Sequence, residues 1–300
     1  MPLHVQLAAA AFLALLFFGL TGWLNAFAAW RRGEPLLPYE PRRPVPWTLL
    51  DLLAVFATYL ITQAAAGVLL RQWLGGGPIS LEDASADQLT ALLLAQGAAN
   101  LATGVLAVLG IVIRTHANSG DIGWSLVQLA NDVRIGVVAF FMLALPVLVI
   151  QAALVQWMPS EHPLIMMLRD HSHPWLFVAS VFIAVIVAPL FEELIFRVLL
   201  QGWLEKPRRV EVPLGQPVEN DSMPSDPAQA PYWPIFVSAA VFALLHLGHG
   251  PDPIPLFVLA LGLGYLYRQT HRLAPSMTVH LLLNGMSMLM LWAEINYGGS

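Results

Sequence analysis

The 300-residue sequence has no cysteine. This excludes disulfides, thiolate metal sites, a cysteine nucleophile and a lipidated thiol, and it leaves the compartment open. Charge is also scarce. Asp, Glu, Lys and Arg make up 11% of the chain, where soluble domains carry about a quarter. The net charge of -5 comes mostly from scattered loop acids, so there is no basic surface to receive nucleic acid and no such partner is expected. Hydrophobic residues fill the space that charge leaves, at 57%, and the mean hydropathy is +0.67. An integral membrane protein is expected, with the lipid bilayer as its surroundings. No Lys or Arg precedes the first apolar run, Gln6 to Trp30. That run exceeds the apolar core of a signal peptide, about 7 to 15 residues, and reads as a retained span.

About 20 mostly apolar residues cross roughly 30 Å of hydrocarbon. Eight segments qualify or come close, near 6–30, 48–70, 89–113, 135–157, 174–204, 232–249, 252–268 and 274–295. The fold class expected is therefore all-α, a polytopic membrane helix bundle of about eight transmembrane helices. "GHGPDP", Gly248 to Pro253, is a turn that would join the sixth and seventh as antiparallel neighbours. Basic residues fall on one side. Eleven of the 14 Lys and Arg lie in the loops after spans one, three, five and seven, against Arg71 and Arg169 on the other side and Arg197 within a span. Positive loops stay cytoplasmic, so both termini are expected outside the cytoplasm.

Two stretches lie outside the spans. Residues 205–231 carry "EVPLGQPVENDSMPSDPAQAP", too polar and proline-rich to bury a core, and a flexible loop is expected. "DIGWSLVQLANDVRIG", Asp121 to Gly136, has helical apolar spacing that would suit a helix lying on the membrane surface. No sequence repeat is visible.

"APLFEELIFR", Ala188 to Arg197, places three ionisable side chains in the fifth span. Each costs about 2.5 to 3.5 kcal/mol at mid-bilayer on insertion scales, and such groups usually face a bundle interior with a partner. Glu193 and Arg197 are one turn apart and suit an ion pair. Glu192 has no partner on its own helix, so its carboxylate is expected to look across the bundle. Pro189 frees a backbone carbonyl one turn earlier and would kink the helix there. Among later spans, "VFALLHLGHG" places His246 one turn after Phe242, and "SMTVHLLLNG" places His280 one turn before Asn284. Taken singly, a histidine here reads as a hydrogen-bonded core residue. At about 1.5 Å rise per residue, Glu192, His246 and Asn284 reach similar depth, and one shared site explains four expensive groups better than four separate reasons.

These residues resemble the CAAX prenyl protease 2 and bacteriocin-processing group, the CPBP family, which includes type II CAAX endopeptidases and lysostaphin-resistance-like proteins. Its signature is a Glu-Glu-x-x-x-Arg motif, a Phe-x-x-x-His motif and a His-x-x-x-Asn motif. Here these are Glu192, Glu193 and Arg197; Phe242 and His246; and His280 and Asn284. Each motif is short, but the three stand in order in separate apolar spans. The resemblance covers roughly Ile135 to Trp292. It divides the chain into an N-terminal transmembrane region, 1–134, and a protease-like core, 135–295.

The resemblance implies an intramembrane endopeptidase acting on a membrane-associated peptide or protein, in a bacterial-type plasma membrane. Glu192 and His246 would activate water, His280 and Asn284 would form the oxyanion site, and Glu193, Arg197 and Phe242 would support them. Amide hydrolysis needs a base, oxyanion donors and an acid for the leaving nitrogen, and these side chains supply all three. The cofactor is open between metal-free glutamate chemistry, toward which the resemblance leans, and a metalloprotease-like zinc site built on two histidines and a carboxylate. No His-Glu-x-x-His helix is present. Two other function classes compete: a catalytically silent scaffold or bacteriocin-immunity protein, and a proton-coupled transporter, although discontinuous helices in matching halves are lacking. Neither the substrate nor its prenylation is legible.

Overall fold

The computed structural model describes residues 3–76, 84–158, 163–171, 173–206, 231–248 and 250–297. Among them the regular structure is all helix, with no strand. The helices are α1 (Leu3–Arg31), α2 (Leu49–Trp73), α3 (Ala86–Thr115), α4 (Leu129–Leu154), α5 (Pro163–Asp170), α6 (Pro174–Leu204), α7 (Trp233–Leu244), α8 (Pro253–Thr270) and α9 (Leu273–Tyr297). Six of them, α1 to α4, α6 and α9, are long and apolar enough to cross a membrane by length and composition. The all-α bundle expected from the sequence is the observed fold, and the protein is an integral membrane protein.

All eight expected segments are helical, but two are shorter than a full span. The α7 helix has 12 residues, about 18 Å at 1.5 Å per residue, and α8 has 18. The small α5 helix was not foreseen. The expected surface helix over 121–136 is also different: residues 121–128 form turns and caps, and the helical spacing from Leu129 onward runs straight into α4. Most of the expected 205–231 loop, residues 207–230, lies outside the described residues, as does His249.

Helix ends follow local chemistry. Ser85 and Gln88 form a reciprocal capping box at the start of α3, with Gln88 N donating to Ser85 Oγ at 3.2 Å and Ser85 N to Gln88 Oε1 at 2.8 Å. Asp51 does the same for Thr48 N at 2.6 Å before α2. Exposed tryptophans mark both ends of the bundle: Trp30, Trp124 and Trp233 at one, Trp73, Trp157 and Trp175 at the other. Amphipathic rings favour the two membrane–water interfaces. Small residues allow the tightest crossings. A Cβ on Gly136 of α4 would stand 2.7 Å from the Pro275 carbonyl of α9, and one on Gly97 of α3 would meet Ile183 of α6 at 2.1 Å.

A segment without helix, 33–48, straps the arginine-rich end together. Trp47 is fully buried and donates from its indole to the Leu199 carbonyl at 3.1 Å. Glu40 N donates to Gln269 O at 2.8 Å, and His271 Nδ1 donates to Glu40 O at 2.8 Å. Arg272 pairs with both Glu40 and Asp132. Arg42 donates to the Tyr267 hydroxyl at 2.8 Å and reaches Glu205 at 3.3 Å, while His271 Nε2 lies 3.5 Å from the same carboxylate. The strap thus holds the end of α6 against the end of α8.

Burial pushes the His271 imidazole below its ordinary value, and the charge of Arg42 adds to this. Burial alone would raise Glu205, but the adjoining His271 and the Arg42 charge outweigh it and hold that carboxylate low. Both groups are therefore depressed in the folded state, and each contributes stability that is lost as pH falls. The loss begins below about pH 6.5 through His271 and continues below about pH 4.3 through Glu205. The melting temperature in detergent should fall between pH 8 and pH 5, and His271→Gln should flatten that slope; an equal slope in the variant would remove His271 from the account.

Candidate active site

The site is built where α6, α7 and α9 meet, and the winding of α6 is its first determinant. Two stretches of this helix, Ile183–Val187 and Leu194–Gln201, have π geometry, with the ordinary α segment Ala188–Glu193 between them. π-turns are rare and often found at functional positions. In the first stretch the Ala188 N–H bonds the Ile183 carbonyl, five residues back. The next carbonyl in that pattern, Ala184, would await an N–H from residue 189, which is proline and has none. Asn284 of α9 fills the vacancy by donating from Nδ2 to Ala184 O at 2.8 Å. The proline's consequence is thus a side-chain bond from another helix.

One turn below, Glu192 and Glu193 converge on one imidazole. His280 Nδ1 donates to Glu193 Oε1 at 3.0 Å, and His280 Nε2 lies 3.5 Å from Glu192 Oε2. Adjacent residues of an α-helix point about 100° apart, and the two carboxylates reach the same ring because they approach opposite edges of it. The carboxylates differ in access. Glu193 and Arg197 side chains are 0% exposed, whereas that of Glu192 is 24% exposed. Glu193 is therefore a structural acceptor, bonded also to Arg197 Nε at 3.3 Å. Glu192 keeps the access that a reactant needs.

The α7 helix brings Phe242 and His246. The imidazole of His246 donates from Nδ1 to the Phe242 carbonyl at 2.8 Å. A carbonyl can only accept, so a proton is on Nδ1, and in the neutral ring Nε2 carries the lone pair. The Phe242 ring packs against both imidazoles, at 4.9 Å from His246 and 6.0 Å from His280 between centroids. The Arg197 guanidinium lies 5.6 Å from the same ring. Glu192 is within electrostatic reach of both His280 and His246. The site residues read from the sequence, Glu192, Glu193, Arg197, Phe242, His246, His280 and Asn284, are all in this neighbourhood.

Two features differ from the sequence reading. Glu193 is not simply neutralised by Arg197, because it also fixes the ring of His280. Asn284 has one amide hydrogen committed to the backbone of α6, which leaves the second for anything that binds. Two neighbours were missed altogether. Ser238 of α7 contacts Arg197 at 3.1 Å, and Tyr59 of α2 stacks on Phe191 with centroids 5.7 Å apart, beside Glu192. Ser238 had a signal, since it stands one and two turns before Phe242 and His246 on one face. Tyr59 had none, since its partner lies more than a hundred residues away.

Residues 174–286 match the family model described as type II CAAX prenyl endopeptidase Rce1-like. The match is confined to this segment, less than half of the chain. No curated protein and no solved structure matches the chain. The Rce1-like segment starts with α6 and ends just past Asn284, so it contains all seven site residues, while α1 to α5 lie outside it. The metalloprotease-like reading gains no support from the donor set. Among the described residues, no three His, Asp or Glu side chains are grouped to hold a metal ion.

The Ala184 carbonyl gives a direct check on Asn284. Asn284→Leu should lower the unfolding free energy in micelles by about 1 to 3 kcal/mol, the usual cost of leaving a buried polar group unpaired. Unchanged stability would mean that another donor satisfies this carbonyl.

Proposed function

We propose that this chain is an intramembrane endopeptidase of the CAAX type, hydrolysing a peptide bond in a membrane-associated peptide or protein. The observation that carries the reading is the grip of two adjacent carboxylates on opposite edges of His280, one sealed and one accessible, inside the Rce1-like segment. A site meant only to neutralise charge has no need of the second carboxylate.

Glu192 acts as the general base that takes a proton from water and returns it to the leaving nitrogen. His246, with Nε2 as its basic atom, assists at the water. His280 keeps its Nδ1 proton on Glu193 and turns Nε2 toward Glu192; as an imidazolium balanced by the two carboxylates, it donates from Nε2 to the tetrahedral oxyanion. The uncommitted amide hydrogen of Asn284 is the second donor. Removing one oxyanion donor typically costs about 100- to 1,000-fold in rate. Arg197 balances Glu193, so the charge on Glu192 is free to change during turnover. The low-dielectric surroundings strengthen each of these interactions.

The catalytic core is the 135–295 region, broader than the matched segment because α4 packs along α8 and α9. The 1–134 region supplies α1 to α3 and the strap. With both termini outside the cytoplasm of a bacterial-type plasma membrane, the arginine-rich end faces the cytoplasm.

Cleavage of a membrane-peptide library in liposomes tests the reading. Wild type should cleave, Glu192→Ala should lose at least about 100-fold in rate, and EDTA should leave wild-type activity intact. Cleavage that survives Glu192→Ala would overturn the assignment. Wild-type silence alongside a cellular phenotype lost in Glu192→Ala would instead favour a scaffold or immunity protein.

A further inference from the structure

Ser238 is a fully buried polar residue in α7, whose other interior positions are apolar. Its hydroxyl is used twice. It donates to the Phe196 carbonyl at 2.9 Å, and it accepts from Arg197 Nη1 at 3.1 Å. A hydroxyl has one proton. With that proton on the carbonyl, only lone pairs face the guanidinium, and Ser238 is a directed acceptor.

The guanidinium has few other anchors. Arg197 Nε holds Glu193 on its own helix, and Nη2 is buried without a hydrogen-bond partner among the described residues. Ser238 is thus the hydrogen-bonding contact from another helix that sets the plane of Arg197, backed by the Phe242 ring. The plane of Arg197 sets the carboxylate of Glu193, which holds His280 Nδ1. Ser238, Arg197, Glu193 and His280 therefore form one hydrogen-bonded chain across α7, α6 and α9. Ser238 also shares a face of α7 with His246, two turns on.

We propose, resting on the hydrolytic reading above, that Ser238 is a positioning residue: it orients Arg197 so that Glu193 fixes the ring of His280, and it sets the register that delivers His246. A serine serving only as glue between helices would contribute stability and leave the protonation of His280 unaltered.

The test compares Ser238→Ala, Ser238→Thr and Ser238→Cys in detergent micelles, with two readouts. In ¹⁵N-histidine NMR, with His280 assigned through His280→Gln, Ser238→Ala should shift the His280 ring resonances and the pH at which they titrate. Ser238→Thr, which keeps the hydroxyl, should stay near wild type. In peptide cleavage, Ser238→Ala should lower kcat by about 10- to 100-fold, the range of one hydrogen bond to a charged group, with KM little changed and the pH–rate limb displaced. Ser238→Thr should recover most of this. Should alanine not fold, Ser238→Cys keeps the volume with a weak donor, and the same shift is expected. The proposal is overturned if the His280 signals and pH profile are unmoved by alanine or cysteine. It is equally overturned if threonine and alanine are impaired alike, in step with lost thermal stability. A wild type that cleaves nothing would refute the hydrolytic reading, while the NMR arm would still decide whether Ser238 governs His280.

Discussion

A sealed ion pair in the middle of an apolar helix governs the rest of this structure. Glu193 and Arg197 are fully buried, and removing such charges from water costs several kcal/mol each even after relaxation. The pair is tolerable only if most of the remaining hydrogen-bonding capacity is met. Glu193 has two oxygens and takes one donor from Arg197 and one from His280. Arg197 takes an acceptor from Ser238. The need to satisfy the pair therefore recruits α7 and α9 to the same stretch of α6, and that recruitment brings His246 and Asn284 near Glu192. The site is a by-product of satisfying a charge, in the sense that the same bonds do both.

The backbone imposes a second constraint of the same kind. In hydrocarbon, an unpaired carbonyl has no water to turn to, so the proline at 189 is admissible only with a donor from elsewhere. Asn284 is that donor. It follows that α9 is tied to α6 at two levels, by His280 beside the charged pair and by Asn284 beside the π-turn. A helix fixed at two points one turn apart can neither slide nor rotate against its neighbour without breaking one of them. That rigidity suits the oxyanion site proposed for His280 and Asn284, because donors must be in place before charge develops.

Sequence alone made much of this legible, and for identifiable reasons. Span existence depends on hydropathy, and all eight segments are helical. The meeting of Glu192, His246, His280 and Asn284 depends on depth and on the cost of polar groups in lipid, both of which can be counted along a chain. What escaped was whatever depends on contact. The π winding of Ile183–Val187 and Leu194–Gln201 leaves no mark in apolar spacing. The strap escaped notice, because Trp47 and Arg42 acquire meaning from Leu199, Tyr267 and Glu205, all distant in sequence. The surface helix expected over 121–136 failed because amphipathic spacing near a span cannot distinguish a helix on the membrane from the first turns of one entering it.

The three site helices are not held alike, and this has a consequence for how the site works. Among the described residues, α9 reaches α6 through His280 and Asn284, whereas α7 reaches it through hydrogen bonds of one side chain, Ser238. Aromatic contact supplies the rest, with Phe196 edge-on to Phe242 at 5.2 Å. Ring contacts fix distance well and direction poorly, while hydrogen bonds fix direction. His246 sits beyond Phe242 at the end of a 12-residue helix, two turns from the directional anchor. Any slack in the Ser238 bond is therefore carried along α7 to the imidazole proposed to assist the attacking water. The helix that carries His280 and Asn284 is thus held to α6 by two side chains, and His246 is aimed by the Ser238 anchor together with its own bond to the Phe242 carbonyl and the Phe242 ring.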